Sequence, residues 1–130
     1  MMKIPENLRF TKDHEWVDLD GGKAKIGVTE FAVEQLGDIT LVELPEVGSE
    51  VTAGKTIGTI ESVKAVSDLY SPVTGKVAAI NEELEDAPEK VNDDCYGEGW
   101  MVVVEGVDAG EIEKLMDTAS YRAHLDTVED

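Results

Sequence analysis

Basic residues are scarce in this sequence. Only 11 of its 130 residues are Lys or Arg, against 29 Asp and Glu, so the formal net charge is -18. A chain with that charge repels nucleic acid and anionic lipid, which argues against binding to either. The same charge suits docking on basic surfaces of protein partners, and a solvated acidic face without a partner is the alternative interpretation.

Cysteine and long hydrophobic runs are scarce as well. Cys95 is the only cysteine, so no disulfide can form within the chain, and a reducing compartment is expected. No segment has the length of a membrane span. The first ten residues, MMKIPENLRF, contain neither the apolar centre of a signal peptide nor the Arg- and Ser-rich helix of a transit peptide. These absences predict a cytoplasmic protein and leave a processed mitochondrial form open.

The usual motifs of metal binding, phosphate binding and catalysis are missing. His14 and His124 lie far apart, neither has the spacing of a metal ligand, and Cys95 has no cysteine partner. GKTIG at residues 54–58 lacks the earlier glycine of a phosphate-binding loop. Carboxylate pairs are too abundant among 29 acids to mark an acid–base site. The sequence therefore predicts neither a metal site nor an enzyme.

Short β-strands dominate the pattern up to about Val77. HEWVDL and KAKIGV flank DGG at residues 20–22, which predicts a hairpin. Thr29 can cap a short helix, EFAVEQL, that Gly37 ends. The strands that follow are separated by stretches too short for crossover helices, so we expect an antiparallel arrangement.

The rest of the chain alternates between polar and apolar segments. NEELEDAPEKVNDD, from residue 81, predicts a helical turn and a surface loop, and GWMVVVEG predicts a strand. Apolar residues then recur at roughly helical spacing, which predicts two short helices at about 108–128 packed on the sheet. The residues of this apolar stripe are Ile112, Leu115, Met116, Tyr121 and Leu125. Residues 1–130 are expected to form a single domain.

One lysine stands at the predicted tip of a hairpin. ESVKAVSD, residues 61–68, lies between GKTIGTI and LYSPVTGKV, and its centre is Val63-Lys64. A two-residue tip normally needs Asn-Gly or Gly-Gly, because its backbone takes positive φ angles. Lys64 is therefore not explained by turn stability. A rigid tip would present its amine to a modifying enzyme. The alternative is an ordinary solvated lysine.

A weak internal repeat surrounds this lysine. Val47-Gly48, Val51 and Gly54 precede it, and Ser71-Pro72-Val73, Gly75 and Val77 follow it with a similar spacing. Two similar halves would place Lys64 between them, although Gly and Val recur in any β-rich chain.

ESVKAVSDLYSPVTGKV closely resembles the lipoyl-attachment hairpin of the glycine cleavage system H protein family. HEWV, IGVTEFAVEQLGDITLVELPEVG, LEDAPEKVN and YGEGWM resemble further family segments in the expected order, from about Phe10 to Leu125. Other lipoyl and biotinyl domains are shorter and lack the HEWV and YGEGW segments. One departure is Cys95, where the family most often has proline.

The resemblance implies a mainly β fold, the barrel-sandwich hybrid of lipoyl and biotinyl domains, with antiparallel strands, short peripheral helices and a helical C-terminal tail. It implies that lipoic acid is joined in an amide to Lys64 by a lipoate ligase or lipoyltransferase. The arm would carry the aminomethyl group of glycine from a pyridoxal-phosphate glycine decarboxylase to a tetrahydrofolate-dependent aminomethyltransferase. Dihydrolipoamide dehydrogenase would then reoxidise it. The chain itself would be a monomeric, non-catalytic carrier.

Two acidic residues resemble those with which the family shelters the loaded arm. They are Glu15 in HEWV and Asp68 beside the hairpin, with Asp13 a weaker candidate. The loaded arm ends in a primary amine that is cationic near neutral pH, and carboxylates hold such a cation. We therefore expect these acids to keep the arm against the body of the protein.

Three other functions stay open on the sequence alone. The chain could pass lipoate to 2-oxoacid dehydrogenase subunits, or it could be an unmodified binding module that kept the fold. A catalytic role of its own is the third. The intact ESVKA tip and the nearby acids argue against the unmodified module.

Overall fold

The computed structural model describes residues 4–127. The β-strands are β1 (Arg9–Phe10), β2 (Glu15–Asp20), β3 (Lys23–Val28), β4 (Ile39–Glu43), β5 (Glu50–Val51), β6 (Thr56–Ser62), β7 (Val66–Tyr70), β8 (Gly75–Ile80) and β9 (Val102–Glu105). The helices are α1 (Glu30–Leu36), α2 (Glu83–Asp86), α3 (Lys90–Asp93), α4 (Ala109–Glu113) and α5 (Thr118–Thr127). None of the helices within these residues is long and apolar enough to cross a membrane.

Local sequence signals form the first hairpin and helix as predicted. Asp20 pairs with Lys23, and Gly21 and Gly22 between them have φ angles of 60° and 84°. Positive φ at both positions is typical of the type I′ turn, whose twist matches that of the strands. At the start of α1 the Thr29 hydroxyl accepts a hydrogen bond from the Ala32 N–H. Both predictions are confirmed.

The strands form two antiparallel sheets. Six strands pair in the order β1-β2-β3-β9-β8-β5, and three pair in the order β4-β6-β7. Every pairing in both sheets is antiparallel, with bulges in β4, β6 and β8 where the register shifts. Neither sheet closes into a barrel. The mainly β fold of the barrel-sandwich type is confirmed.

The main core lies between the inner faces of the sheets. Strands of both sheets contribute fully buried aliphatic side chains to it, and short helices cover its ends. Its central members include Ile26, Ile60, Leu69, Val77 and Val104. Alternate residues of a strand point to the same side, and Ala24, Ile26 and Val28 of β3 enter this core in that way.

The two similar segments that flank Lys64 in the sequence lie together in space. Val51 of β5 pairs with Gly75 of β8. Backbone hydrogen bonds also join Gly48 to Val77 at 2.8 Å and Gly54 to Ser71 at 2.7 Å. These contacts close the base of the β6–β7 hairpin, so the hairpin projects from a hydrogen-bonded platform.

The C-terminal tail forms a second, smaller core. Tyr121 of α5 is fully buried and stacks on Phe10 of β1, with ring centroids 4.6 Å apart. Ile4, Leu8 and Trp16 complete this cluster on the outer side of the six-stranded sheet. The predicted limit of the tail at residue 128 and both ends of the predicted 1–130 domain lie outside the described residues.

The acidic segment after β8 is more helical than predicted. It contains two four-residue helices, α2 and α3, instead of one helical turn and a loop. Leu84 of α2 and Val91 of α3 are fully buried, so each helix packs on the core through one apolar side chain. The Lys90 ammonium joins Glu83 and Glu98 at 2.8 and 3.2 Å. Apolar burial therefore orders a segment whose charge suggested a loop.

Candidate functional site

Lys64 occupies a three-residue loop that connects β6 to β7. The Ser62 N–H donates to the Ala65 carbonyl at 2.8 Å, which closes the loop. The Ser62 hydroxyl oxygen accepts hydrogen bonds from the backbone N–H groups of Ala65 at 3.1 Å and Lys64 at 3.4 Å. Among residues 4–127 only His14 combines a side chain with a positive φ. The tip thus needs no Asn-Gly or Gly-Gly, because a serine side chain satisfies its backbone.

The tip is exposed and held in place at its base. The Val63 N–H donates to the Asp38 carbonyl at 3.1 Å, which ties the tip to the start of β4. Val63 and Val66 flank Lys64 and are 69% and 67% exposed. The Lys64 side chain passes close to Gly37, where an added Cβ would lie 3.5 Å from its Cε. The lysine amine is therefore open to a protein that approaches the tip.

Glu15 lies at the junction of the two sheets. It begins β2 in the six-stranded sheet, and its side chain is 2% exposed. One carboxyl oxygen accepts from the Thr11 hydroxyl at 2.8 Å, and the other accepts from the Tyr70 N–H at 3.1 Å. Burial raises the pKa of Glu15 to about 7, because it outweighs these two hydrogen bonds, and nearby Asp13 adds to the rise.

A largely apolar cavity of about 390 Å³ opens beside this carboxyl group. Its lining comes from the loop before β2, the end of β7 and the segment between α4 and α5. The lining residues are Phe10, Thr11, Lys12, Asp13, Glu15, Gly54, Tyr70, Ser71, Pro72, Lys114, Leu115 and Met116. An apolar space with one buried acid fits an apolar chain that ends in a hydrogen-bonding or cationic group.

Strand β7 leads from the lysine toward this cavity. It is an edge strand, and Val66, Asp68 and Tyr70 lie on one side of it because they alternate in sequence. Asp68 is exposed and pairs across the hairpin with Thr59. From Val66 to Tyr70 the strand rises by roughly 13 Å, from beside the loop that holds Lys64 to the edge of the cavity.

Comparison with known proteins identifies the family. The family model described as Glycine cleavage H-protein matches residues 8–128. The chain belongs to the glycine cleavage H-protein family. It is 55% identical to the glycine cleavage system H protein of Brevibacillus brevis over 94% of this chain and 97% of that one. The corresponding Bacillus subtilis protein is 54% identical over 92% and 94% of the two chains.

A solved structure agrees with this assignment. The glycine cleavage system H protein of Mycobacterium marinum superposes with a TM-score of 0.85 at 37% identity, and the match covers 95% of this chain and 99% of that one. The H-protein family is a family of lipoyl carriers.

The four site residues that were predicted from the sequence lie at three different places in the structure. Lys64 lies at the exposed tip, and Asp68 lies on the exposed strand that follows it. Glu15 and Asp13 both line the cavity, the first buried and the second exposed. Sequence reasoning missed the Tyr70 backbone N–H, which belongs to the other sheet. No local signal marks it, since any residue there carries the same backbone donor.

The two histidines meet in the fold although they are far apart in the sequence. The rings of His14 and His124 have centroids 5.9 Å apart. Burial and His124 lower the pKa of His14, while Asp13 opposes them. In the part of the chain from residue 4 to 127, no group of three His, Cys, Asp or Glu side chains is arranged to hold a metal ion.

Proposed function

We propose that the chain is lipoylated on Lys64 and carries the aminomethyl group of glycine within the glycine cleavage system. It would receive that group at a pyridoxal-phosphate glycine decarboxylase and deliver it to a tetrahydrofolate-dependent aminomethyltransferase. Dihydrolipoamide dehydrogenase would restore the oxidised arm. The observation that supports this most strongly is the exposed Lys64 on a closed loop, with β7 leading from it to a cavity that contains Glu15.

The hairpin supplies the attachment site. The loop at residues 63–65 is already closed by Ser62, so little backbone freedom is lost when a lipoylating enzyme binds it. Amide formation removes the charge of the Lys64 amine. The lipoyl group supplies a dithiolane that accepts the aminomethyl unit and later takes part in a thiol–disulfide redox step. The chain acts in this proposal as one carrier domain.

Carboxylates of the chain hold the end of the loaded arm. A primary ammonium group gains from a charge-assisted hydrogen bond to a carboxylate, most of all where water is excluded. Glu15 offers such a carboxylate inside the cavity. Asp68, on the same side of β7 as Tyr70, gives a second negative charge along the path from the tip. Asp13 adds an exposed third charge at the cavity.

The chain contributes no catalytic residue in this proposal. Its side chains bind, orient and exclude water, and the chemistry belongs to the partner enzymes and their cofactors. Assayed alone with glycine, pyridoxal phosphate and tetrahydrofolate, the protein is expected to show negligible turnover.

Intact-mass spectrometry tests the attachment. The protein is purified from cells that are given lipoate and a lipoate ligase, and it is compared with Lys64→Arg and with the matched surface variant Lys76→Arg. A lipoyl-sized increase in the parent and in Lys76→Arg, but not in Lys64→Arg, is expected. No increase in any of the three proteins would overturn the proposal and favour an unmodified binding module.

Decay of the loaded form tests the sheltering acids. Glu15→Gln and Asp68→Asn keep side-chain size and remove the charge, so the non-enzymatic loss of the carried group is expected to be faster in both, and fastest in the double variant. Glu46→Gln, which changes an exposed acid outside the cavity lining, is the control. An unchanged decay rate in the double variant would show that these acids do not shelter the arm.

A further inference from the structure

The side chain of Asn92, in α3, holds the segment that leads from α1 into β4. Its Oδ1 accepts a hydrogen bond from the Ile39 N–H, and its Nδ2 donates one to the Gly37 carbonyl, both at 2.9 Å. An asparagine amide offers an acceptor and a donor group, and both are used here. The two contacts restrain Asp38, the residue between them, from either side.

This segment lies at an open edge of a sheet. β4 is an outer strand of the sheet β4-β6-β7, so in the described part of the chain its other edge has no strand partner. Its register with β6 shifts between Ile39 and Leu41, which separates the pair Ile39–Ser62 from the rest of the ladder. The Asn92 side chain thus supplies a donor and an acceptor where the sheet itself holds β4 least.

The held segment in turn contacts the hairpin tip at two points. The Asp38 carbonyl accepts the Val63 N–H at 3.1 Å. Gly37 has a φ of 82°, and a Cβ added there would lie 3.5 Å from Lys64 Cε, so the missing side chain leaves room for the lysine stem. The position of residues 37–39 therefore affects both the backbone of the tip and the path of the lysine side chain.

We infer that Asn92 is a positioning residue for Lys64: by fixing residues 37–39 it orders the tip before a partner enzyme binds. The inference rests on the proposed function for the use of Lys64, and it adds a residue of another element, α3, to the machinery of the hairpin. An enzyme must bind the tip in one conformation, and a tip that is already ordered loses less conformational entropy on binding. The KM for the carrier is therefore the quantity that Asn92 should change.

Amide hydrogen exchange in the unlipoylated protein tests the order of the tip. Asn92→Ala removes both contacts, so exchange of the Val63 N–H is expected to accelerate by about five- to tenfold, the equivalent of one hydrogen bond. Asn92→Asp keeps the shape, but its carboxylate cannot donate to the Gly37 carbonyl, so it should act in the same direction. Amides of β3 report global opening and should accelerate only as far as the loss of stability requires.

Steady-state kinetics of a lipoate ligase, with the carrier as the varied substrate, test the consequence. For Asn92→Ala the KM is expected to rise by about five- to tenfold while kcat stays within about twofold, because the tip is ordered at the cost of binding energy. Asn81→Ala is the matched control, since the Asn81 Nδ2 donates to the carbonyls of Glu98 and Trp100 at 2.8 Å, outside residues 37–39. It should lose stability in urea and keep the KM of the parent.

Three results would overturn the inference. The first is unchanged Val63 exchange in Asn92→Ala, and the second is faster exchange with an unchanged KM. The third is an equal rise of KM in Asn92→Ala and Asn81→Ala, because both variants would then act through general stability.

The outcomes also distinguish this inference from the proposed function. Failure of Lys64 lipoylation in the parent would remove the carrier role, whereas the exchange measurement needs no arm and would still confirm or overturn the ordering of the tip by Asn92. Lipoylation on Lys64 with the same KM in Asn92→Ala and the parent would keep the carrier role and reject the positioning role.

Discussion

The His14 ring nitrogen Nδ1 lies 2.8 Å from the Tyr121 hydroxyl, which in turn lies 2.8 Å from the Thr29 hydroxyl. The contact between His14 and Tyr121 joins the loop before β2 to α5, which lies 107 positions further along the chain. Thr29 also caps α1, and His14 adopts a φ of 68°. His14 directly precedes Glu15, the first residue of β2, so the position of the cavity acid depends on the packing of the C-terminal tail.

Tyr121→Phe should test this connection. The variant keeps the ring that stacks on Phe10 and removes only the hydroxyl group, which leaves Thr29 without its buried partner. A loss of about 1–3 kcal/mol in the free energy of unfolding is expected, measured by urea denaturation. Tyr70→Phe is the control, since no hydrogen bond of its hydroxyl group is present among the described residues. Equal stability of Tyr121→Phe and the parent would show that the hydroxyl network contributes nothing.

Acid should weaken the same network through His14. Because the pKa of His14 in the folded protein is lowered from 6.5, the unfolded chain binds more protons below that pH. Stability from this group is therefore present above pH 6.5 and is lost as the pH falls toward the lowered pKa. His14→Asn tolerates the positive φ and does not titrate, so its melting temperature should fall less between pH 7 and pH 5. A parallel fall in both proteins would contradict this.

Glu15 should have the opposite effect on stability. Its pKa rises from 4.5 to about 7 on folding, so the folded protein binds more protons between these values and loses stability as the pH rises through them. The cost above pH 7 is about 3 kcal/mol. Glu15→Gln should therefore match the parent below pH 4.5 and exceed its unfolding free energy above pH 7. A pH-independent difference between the two proteins would argue against a titrating acid in the cavity.

The hairpin tip should depend on Ser62. Ser62→Ala removes the hydroxyl oxygen that accepts from Lys64 and Ala65, which loosens the loop. Lipoylation by a ligase is expected to slow by up to about tenfold, the equivalent of one hydrogen bond, in an intact-mass time course. Ser67→Ala alters an exposed serine outside the loop and should react like the parent. Equal slowing in both variants would point to ligase contacts instead of loop closure.

Gly58 should be essential for the hairpin. An added Cβ would overlap the Glu43 carbonyl, because β4 and β6 approach closely there. Gly58→Ala is expected to reduce the free energy of unfolding by about 1–3 kcal/mol. In the control, Gly110→Ala, the nearest atom to the added Cβ is Asp108 Oδ1 at an ordinary 3.4 Å. Comparable stability of the two alanine variants would mean that the strands can separate without cost.

Sequence alone determined much of this protein. Turn glycines, a helix cap and alternating apolar residues are local signals, and they were sufficient for the first hairpin, for α1 and for an antiparallel β fold. The family resemblance singled out Lys64 because the segments around it are contiguous in the chain. The acidic segment was the local exception, since the burial of Leu84 and Val91 depends on residues far away in the sequence.

Only the tertiary structure decided what the acids can do. Asp13 and Glu15 are only two positions apart, yet Glu15 is buried and Asp13 is exposed. The difference arises because Glu15 reaches a backbone N–H that is 55 positions away, on the other sheet. Burial of a carboxyl group, the cavity beside it and the shift of its pKa are properties of packing between distant segments. No pattern of neighbouring residues encodes them.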